Sequence, residues 1–213
     1  MTTDPSDSLK SYQTPIGTAE FKITVKGSKF IGFGAPAEAE NTAQEVIKAR
    51  SRQHHSAMHN CWAYRVGNPA DPVERSSDEG EPSGTAGRPI LEQLRKANLV
   101  GAVLIVSRWF GGTKLGRGGL IRAYGECAAE TIKLLNTVEK KPVVLVIVEC
   151  GYEHVGLVES IAARFEGHVE GGDYKENVRL HVKLPVGKEE EFIKILTDES
   201  RGMVRINNER PGY

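Results

Sequence analysis

After the charged, proline-marked joint Lys140-Lys141-Pro142, the chain runs through a set of periodic segments that needs nothing from the rest of the sequence to be complete. Val143–Val148 is a continuous, β-branched apolar run, the pattern of a buried strand. Val155, Val158, Ile161, Ala162 and Phe165 then recur at helical spacing. His168–Glu170 predicts a short strand and Gly171–Asn177 a turn, after which Val178, Leu180, Val182 and Leu184 alternate with Arg179, His181 and Lys183 as a half-buried strand does. Phe192, Ile193, Ile195 and Leu196 predict a second helix, and Met203, Val204 and Ile206 a last strand. The order β-α-β-β-α-β over roughly 70 residues is the split-βαβ, ferredoxin-like plan. A segment that completes such a plan can bury its own core, so residues 142–213 are expected to form a separate domain.

Residues 16–139 remain for another domain, behind a polar arm at 1–15 that carries Pro and Ser. Phe21, Ile23 and Val25 alternate with Lys22, Thr24 and Lys26, and Gly27-Ser28 turns the chain into Phe30–Phe33, which predicts a hairpin. Asn41 and Gln44 resemble a helix start, with Ala43, Val46, Ile47 and Arg50 following at helical spacing. Trp62, Tyr64 and Val66 form a strand pattern, and a long turn-rich loop is expected over Gly67–Gly87. Pro89 suits a first helical turn, with Ile90, Leu91, Leu94 and Ala97 on one face. Val100–Trp109 predicts a central strand buried on both faces. Gly111–Gly119 leads into Leu120, Ile121, Tyr124, Cys127, Ala128, Thr131 and Leu135, an amphipathic helix.

Charge separates the two parts although the whole is neutral. Residues 1–141 carry 19 basic against 15 acidic side chains and 142–213 carry 9 against 13, +4 and −4. Asp71–Glu81 is an acidic stretch with only Arg75 opposing it, and Arg88–Arg122 holds seven basic residues against Glu92. Zero net charge by itself gives no pointer to a nucleic-acid partner; the distribution of charge says more. The longest apolar runs fall far short of the ~20 residues of a spanning helix, and Met1–Pro5 has neither a basic start nor an apolar stretch, so no membrane contact and a cytoplasmic protein are expected. Cys61, Cys127 and Cys150 are odd in number and widely spaced, which predicts buried thiols rather than disulfides or a zinc knuckle.

The Gly-rich segment holds five glycines in nine residues immediately before a helix. Backbone N–H groups in such a segment can converge on an anion, with Lys114, Arg117 and Arg122 as counter-charge; the alternative is a tight turn that needs glycine for positive φ and close packing. Its spacing is neither a P-loop nor a dinucleotide fingerprint, because Lys114 precedes the last glycines and no Ser or Thr follows it. Asp78, Glu79 and Glu81, beside Ser83, Thr85 and Arg88, could orient a hydroxyl, hold a divalent ion or meet a basic partner, or could form a surface turn paired with Arg88 and Arg108. Ser83 lacks a nucleophile elbow. His54, His55 and His59 lie close together without a Cys or carboxylate at zinc spacing, so no metal and no cofactor is expected. Trp109 and Phe110 could stack on bases; strand alternation predicts Trp109 as the more exposed.

The stretch Asp78-Glu79-Gly80-Glu81-Pro82 to Gly87, continuing through Ile90, Leu94, Leu99 and Ile105-Val106 to Arg108-Trp109-Phe110-Gly111-Gly112 and Leu115-Gly116, resembles the YigZ/IMPACT family, as does His59-Asn60-Cys61-Trp62-Ala63-Tyr64. Glu79 departs from the family's usual Asp. The resemblance implies an α+β protein with an N-terminal ribosomal protein S5 domain 2-like domain at 16–139, followed by the ferredoxin-like domain, similar to domain V of elongation factor G. It implies a non-catalytic regulatory or binding protein linked to translation, with a ribosome, RNA or translation-factor partner or a phosphate-containing ligand. The expected anion surface comprises Arg108, Gly111, Gly112, Lys114, Gly116, Arg117, Gly118, Gly119 and Arg122, and the adjoining loop His59, Asp78, Glu79, Glu81, Ser83, Thr85 and Arg88. The competing class is an enzyme acting on a phosphorylated or nucleotide-like small molecule at the same place.

Overall fold

The computed structural model describes residues 11–174 and 177–207. They fall into two compact units, Tyr12–Lys140 and the chain from Lys141 onward.

The first unit is built on strands β1 (Tyr12–Pro15), β2 (Ala19–Val25), β3 (Ser28–Pro36), β4 (His59–Val66), β5 (Val73–Ser77), β6 (Ala102–Trp109) and β7 (Thr137–Lys140), with helices α1 (Glu40–Gln53), α2 (Gly87–Lys96) and α3 (Gly116–Lys133). Five strands make an antiparallel sheet in the order β2-β3-β6-β4-β5. Alternation along central β6 sends Ala102, Leu104 and Val106 into a core with Ile90, Leu94, Leu120 and Tyr124 of α2 and α3. Val103 and Ile105 point the other way, against Ala43 and Ile47 of α1. A strand covered on both faces has no solvent side to mark with polar residues, which is why Val100–Trp109 reads as a continuous apolar run.

Four local expectations change. Of the arm expected at 1–15, Tyr12–Pro15 is instead β1, paired antiparallel with β7 from Tyr12↔Lys140 to Pro15↔Thr137; residues 1–10 lie outside the described residues. The expected loop Gly67–Gly87 contains β5, an edge strand on β4 whose Val-Glu-Arg-Ser-Ser carries one apolar residue and so shows no alternation. The expected helix start at Asn41 lies two residues late: Ala39 is the N-cap, and Thr42 Oγ1 accepts from the Ala39 N–H. The Gly-rich loop ends at Leu115, and Gly116, Gly118 and Gly119 form the first turn of α3. Burial of Leu120, Ala123 and Tyr124 overrides the poor helix propensity of those glycines.

The second unit consists of β8 (Val143–Cys150), a 3-10 turn at Tyr152–His154, α4 (Val155–Arg164), β9 (His168–Tyr174), β10 (Val178–Pro185), α5 (Glu189–Glu199) and β11 (Arg205–Asn207). Its four strands are antiparallel in the order β11-β8-β10-β9. Val146 and Val148 of β8 and the alternating Val178, Leu180, Val182 and Leu184 of β10 form one core with Val158, Ile161, Phe192 and Leu196 of the two helices. Strand β9 continues through Gly171–Tyr174, where a turn was expected; residues 175–176 of that turn lie outside the described residues. Gly172 permits the continuation, since a Cβ there would stand 2.6 Å from the Arg179 carbonyl oxygen. The last strand begins at Arg205, and Met203 precedes it, exposed.

Candidate functional site

The end of β6 brings the signature residues together. Arg108 shares its sheet face with Leu104 and Val106, lies opposite Phe30 of β3 on one side and His59 of β4 on the other, and is buried. Its Nη1 donates to Glu81 Oε1 at 2.6 Å and its Nη2 to Ser28 Oγ at 3.3 Å. The guanidinium stacks near the Phe30 and Phe110 rings, 5.6 and 5.8 Å from their centroids. Glu81 Oε1 also accepts from the Tyr124 hydroxyl at 2.8 Å, and His59 Nε2 lies 4.0 Å away. His59 Nδ1 is 2.7 Å from the Glu79 carbonyl oxygen, which places the proton on Nδ1. Cys61 Sγ lies 3.0 Å from the Asp78 carbonyl oxygen and 3.4 Å from the Tyr124 hydroxyl. Burial pushes the Cys61 thiol up to about 12, and the carboxylates of Glu81, Asp78 and Glu79 add to it.

Each carboxylate of the acidic turn is engaged inside the turn or the sheet. Asp78 Oδ2 accepts from the Gly84 N–H at 2.7 Å, and Oδ1 from the N–H groups of Ala86 and Gly87 at 2.9 Å each. Burial raises the Asp78 pKa, but the backbone donors, those of Gly84 and Gly87 foremost, outweigh it and hold the carboxyl below its ordinary value. Asp78 therefore serves the unpaired N–H groups at the start of α2. Glu79 sits at φ 43° and its Oε1 accepts from Trp62 Nε1 at 3.1 Å and Ser77 Oγ at 2.8 Å. Thr85 is buried, its hydroxyl donating to the Pro82 carbonyl oxygen at 2.6 Å. Arg88 is exposed and pairs with Glu92 on α2, so it does not join the acidic turn.

Around the Gly-rich segment the glycines divide into two groups. Gly111 lies against the β2–β3 turn, where a Cβ would stand 1.8 Å from the Gly27 carbonyl carbon; its N–H donates to Ser28 Oγ at 3.2 Å. Gly111 is thus required by packing. Gly112 and Gly116 have φ of +87° and +69° with open space around them. Lys114, Arg117 and Arg122 are all exposed, and Arg117 Nη2 donates to the Ser83 carbonyl oxygen at 2.9 Å, tying the start of α3 to the backbone of the acidic turn and not to its carboxylates. No acidic residue lies in the first turn of α3. Among the described residues, no ion pair engages Lys114, Arg117 or Arg122.

On the opposite sheet face, His54 Nδ1 lies 3.0 Å from Ser107 Oγ, which donates to Asn60 Oδ1 at 2.6 Å. Burial lowers the His54 pKa, and Arg50 and Lys29 lower it further. Trp109 packs on His54, donates from Nε1 to Ser56 Oγ at 3.2 Å and has Lys29 Nζ 5.2 Å from its centroid. Phe110, beyond the strand end, is the more exposed aromatic at 43%, which reverses the expectation from alternation. The three cysteines are free and buried. No group of three or more metal-ligating side chains occurs among the described residues.

Ser28 and Tyr124 belong to the site but were not singled out from the sequence. Tyr124 stands on the apolar stripe of α3, so its pattern marks it as core; its hydroxyl finds Glu81 43 residues away, a pairing that only the fold creates. Ser28 carries the ordinary signal of a turn residue.

A family model described as the Impact N-terminal domain matches residues 26–132, and one described as a domain of unknown function, DUF1949, matches residues 148–202. The chain is 36% identical to the IMPACT family member YvyE of Bacillus subtilis, covering 91% of this chain and 89% of the relative. It is 32% identical to the IMPACT family member YigZ of Escherichia coli, covering 93% and 98%. A solved structure described as that of a hypothetical protein is 31% identical, with a TM-score of 0.67 over 92% of this chain and 96% of that one.

Proposed function

The chain belongs to the IMPACT family, and from that premise we propose that it is a non-catalytic regulatory protein linked to translation, which binds anions, RNA phosphate foremost, at the start of α3. One observation carries the reading. Lys114, Arg117 and Arg122 stand exposed around a helix N-terminus without a first-turn acid, while Asp78, Glu79 and Glu81 are held by backbone N–H groups, Trp62, Ser77, Arg108 and Tyr124. The acidic turn thus leaves the basic charge unneutralised, and the N–H groups of the first turn add partial positive charge. The same engagement speaks against Glu81 as a general base, since its Oε1 already takes two donors, one of them a cation.

The kinships expected from the sequence support the link to translation. We read the first unit as S5 domain 2-like and the second as ferredoxin-like, similar to domain V of elongation factor G. The β11-β8-β10-β9 order with both helices in one core supports the second assignment. Fold kinship is an associational warrant, and the charge pattern is the physical one.

The test is salt-dependent binding of ribosomal RNA by the parent and by Lys114→Glu/Arg117→Glu. Each lost phosphate contact is expected to weaken binding and flatten the slope of log K against log salt by about one unit. Equal affinity and slope in the two proteins would leave the segment purely structural. Retention of ribosomes from lysate, with and without nuclease, separates RNA from a protein partner.

A further inference from the structure

We propose that a cleft between the β2–β3 turn and the first half of α3 binds a small phosphomonoester of about the size of a sugar phosphate. The cleft encloses about 220 Å³. Lys26 lines it from the turn, Leu115 from the N-cap of α3, and Gly119, Arg122, Ala123 and Glu126 from α3 itself, at the three- and four-residue spacings that share one helix face. The turn is held in place, because Gly27 and Gly111 meet backbone to backbone at its tip and Lys26 is fixed at φ 46°. At Gly119 a Cβ would stand 3.0 Å from Leu115 Cβ, so glycine keeps this part of the wall without a side chain.

The charges select the ligand. Two cations on separate elements, Lys26 and Arg122, suit a phosphate dianion, which offers acceptors to both. Glu126, one turn beyond Arg122, accepts from hydroxyl groups and repels a second phosphate. Inside the cleft a polyphosphate is therefore disfavoured. The volume lies below the ~300–1,000 Å³ of pockets for drug-sized ligands, which suits a small phosphomonoester better than a whole nucleotide. The proposal rests in part on the anion-surface reading, with which it shares Arg122, but its other cation belongs to a different element.

Amide NMR of the full chain, titrated separately with ribose 5-phosphate, inorganic phosphate and ribose, tests it. Ribose 5-phosphate is expected to shift Lys26, Gly119 and Ala123 saturably and to bind more tightly than phosphate, with ribose giving no shift. Lys26→Asn, which tolerates the positive φ, and Arg122→Gln should each weaken ribose 5-phosphate about tenfold or more. Glu126→Gln should weaken ribose 5-phosphate and strengthen inorganic phosphate. Lys26→Asn should leave RNA affinity unchanged, and Lys114→Glu/Arg117→Glu should leave ribose 5-phosphate affinity unchanged, so the two readings fail separately. No saturable shift with ribose 5-phosphate, or shifts confined to 112–117, would overturn the cleft.

Discussion

Arg108 places a full charge where solvent scarcely reaches, with side-chain exposures of 7% for it and 3% for Glu81. Such a pair contributes little over an apolar replacement, but removing one partner strands the other charge. Glu81→Gln is therefore expected to cost about 3–5 kcal/mol in urea unfolding, and Glu81→Leu/Arg108→Met to cost less than the single change. Asp78→Ala should cost about 1.5–3 kcal/mol, as for loss of a hydrogen bond to a charged acceptor, because the start of α2 loses the carboxylate that holds its N–H groups. Since the folded-state pKa of Asp78 is lowered, that contribution is present above the ordinary aspartate value and disappears as pH falls through the folded one. Cysteine runs the other way. Burial pushes the Cys61 and Cys127 thiols up to about 12, so the protonated form favours the fold; their contribution is intact below the ordinary value of 9.0 and is lost as pH rises toward 12. All three thiols are expected to ignore a thiol reagent at pH 8 in the native protein and to react on unfolding.

Among the elements, glycines of similar appearance in the sequence carry different duties. Gly111→Ala would drive a Cβ into the Gly27 backbone and should be strongly destabilising, whereas Gly118→Ala meets nothing nearer than 3.8 Å and should add up to about 0.5–1 kcal/mol by helix propensity. Thermal melts of the two variants check the contrast. The sequence shows glycines clustered before a helix; which of them touch another backbone depends on the β2–β3 turn more than 80 residues earlier. Strands β1 and β7 illustrate the same limit, since four residues each are too few for periodicity to register. Their place is fixed by long-range bonds such as Gln13 N–H to the Asn98 carbonyl oxygen at 3.0 Å and Val100 N–H to the Gln13 carbonyl oxygen at 2.9 Å. Gln13→Pro removes the first donor and is expected to abolish hydrogen-exchange protection at Thr137–Lys140 while leaving that of β6 intact.

For the whole molecule, the two units have hydrophobic cores that draw on separate stretches of chain. Residues 142–213 are accordingly expected to fold when expressed alone; a dispersed amide spectrum would bear this out, and a collapsed one would mean that their core depends on residues before the joint. The charge division of +4 and −4 follows the same boundary. Salt-dependent RNA binding, if the proposed surface is right, should therefore disappear in this fragment.

Read alone, the sequence carries whatever repeats at short range or is spelled out contiguously: the two buried strands, the amphipathic helices, the β-α-β-β-α-β order and the family signature. Hydrophobic burial acts through periods of two and 3.6 residues, and those periods are visible in a string of letters. Tertiary structure decided what depends on partners far apart in the chain. It set Glu81 between Arg108 and Tyr124, turned the carboxylate of Asp78 to the backbone of α2, and left Lys114, Arg117 and Arg122 facing outward. Charge in a sequence is only an inventory; whether a carboxylate is spent or available is settled by which donors the fold brings within about 3 Å of it.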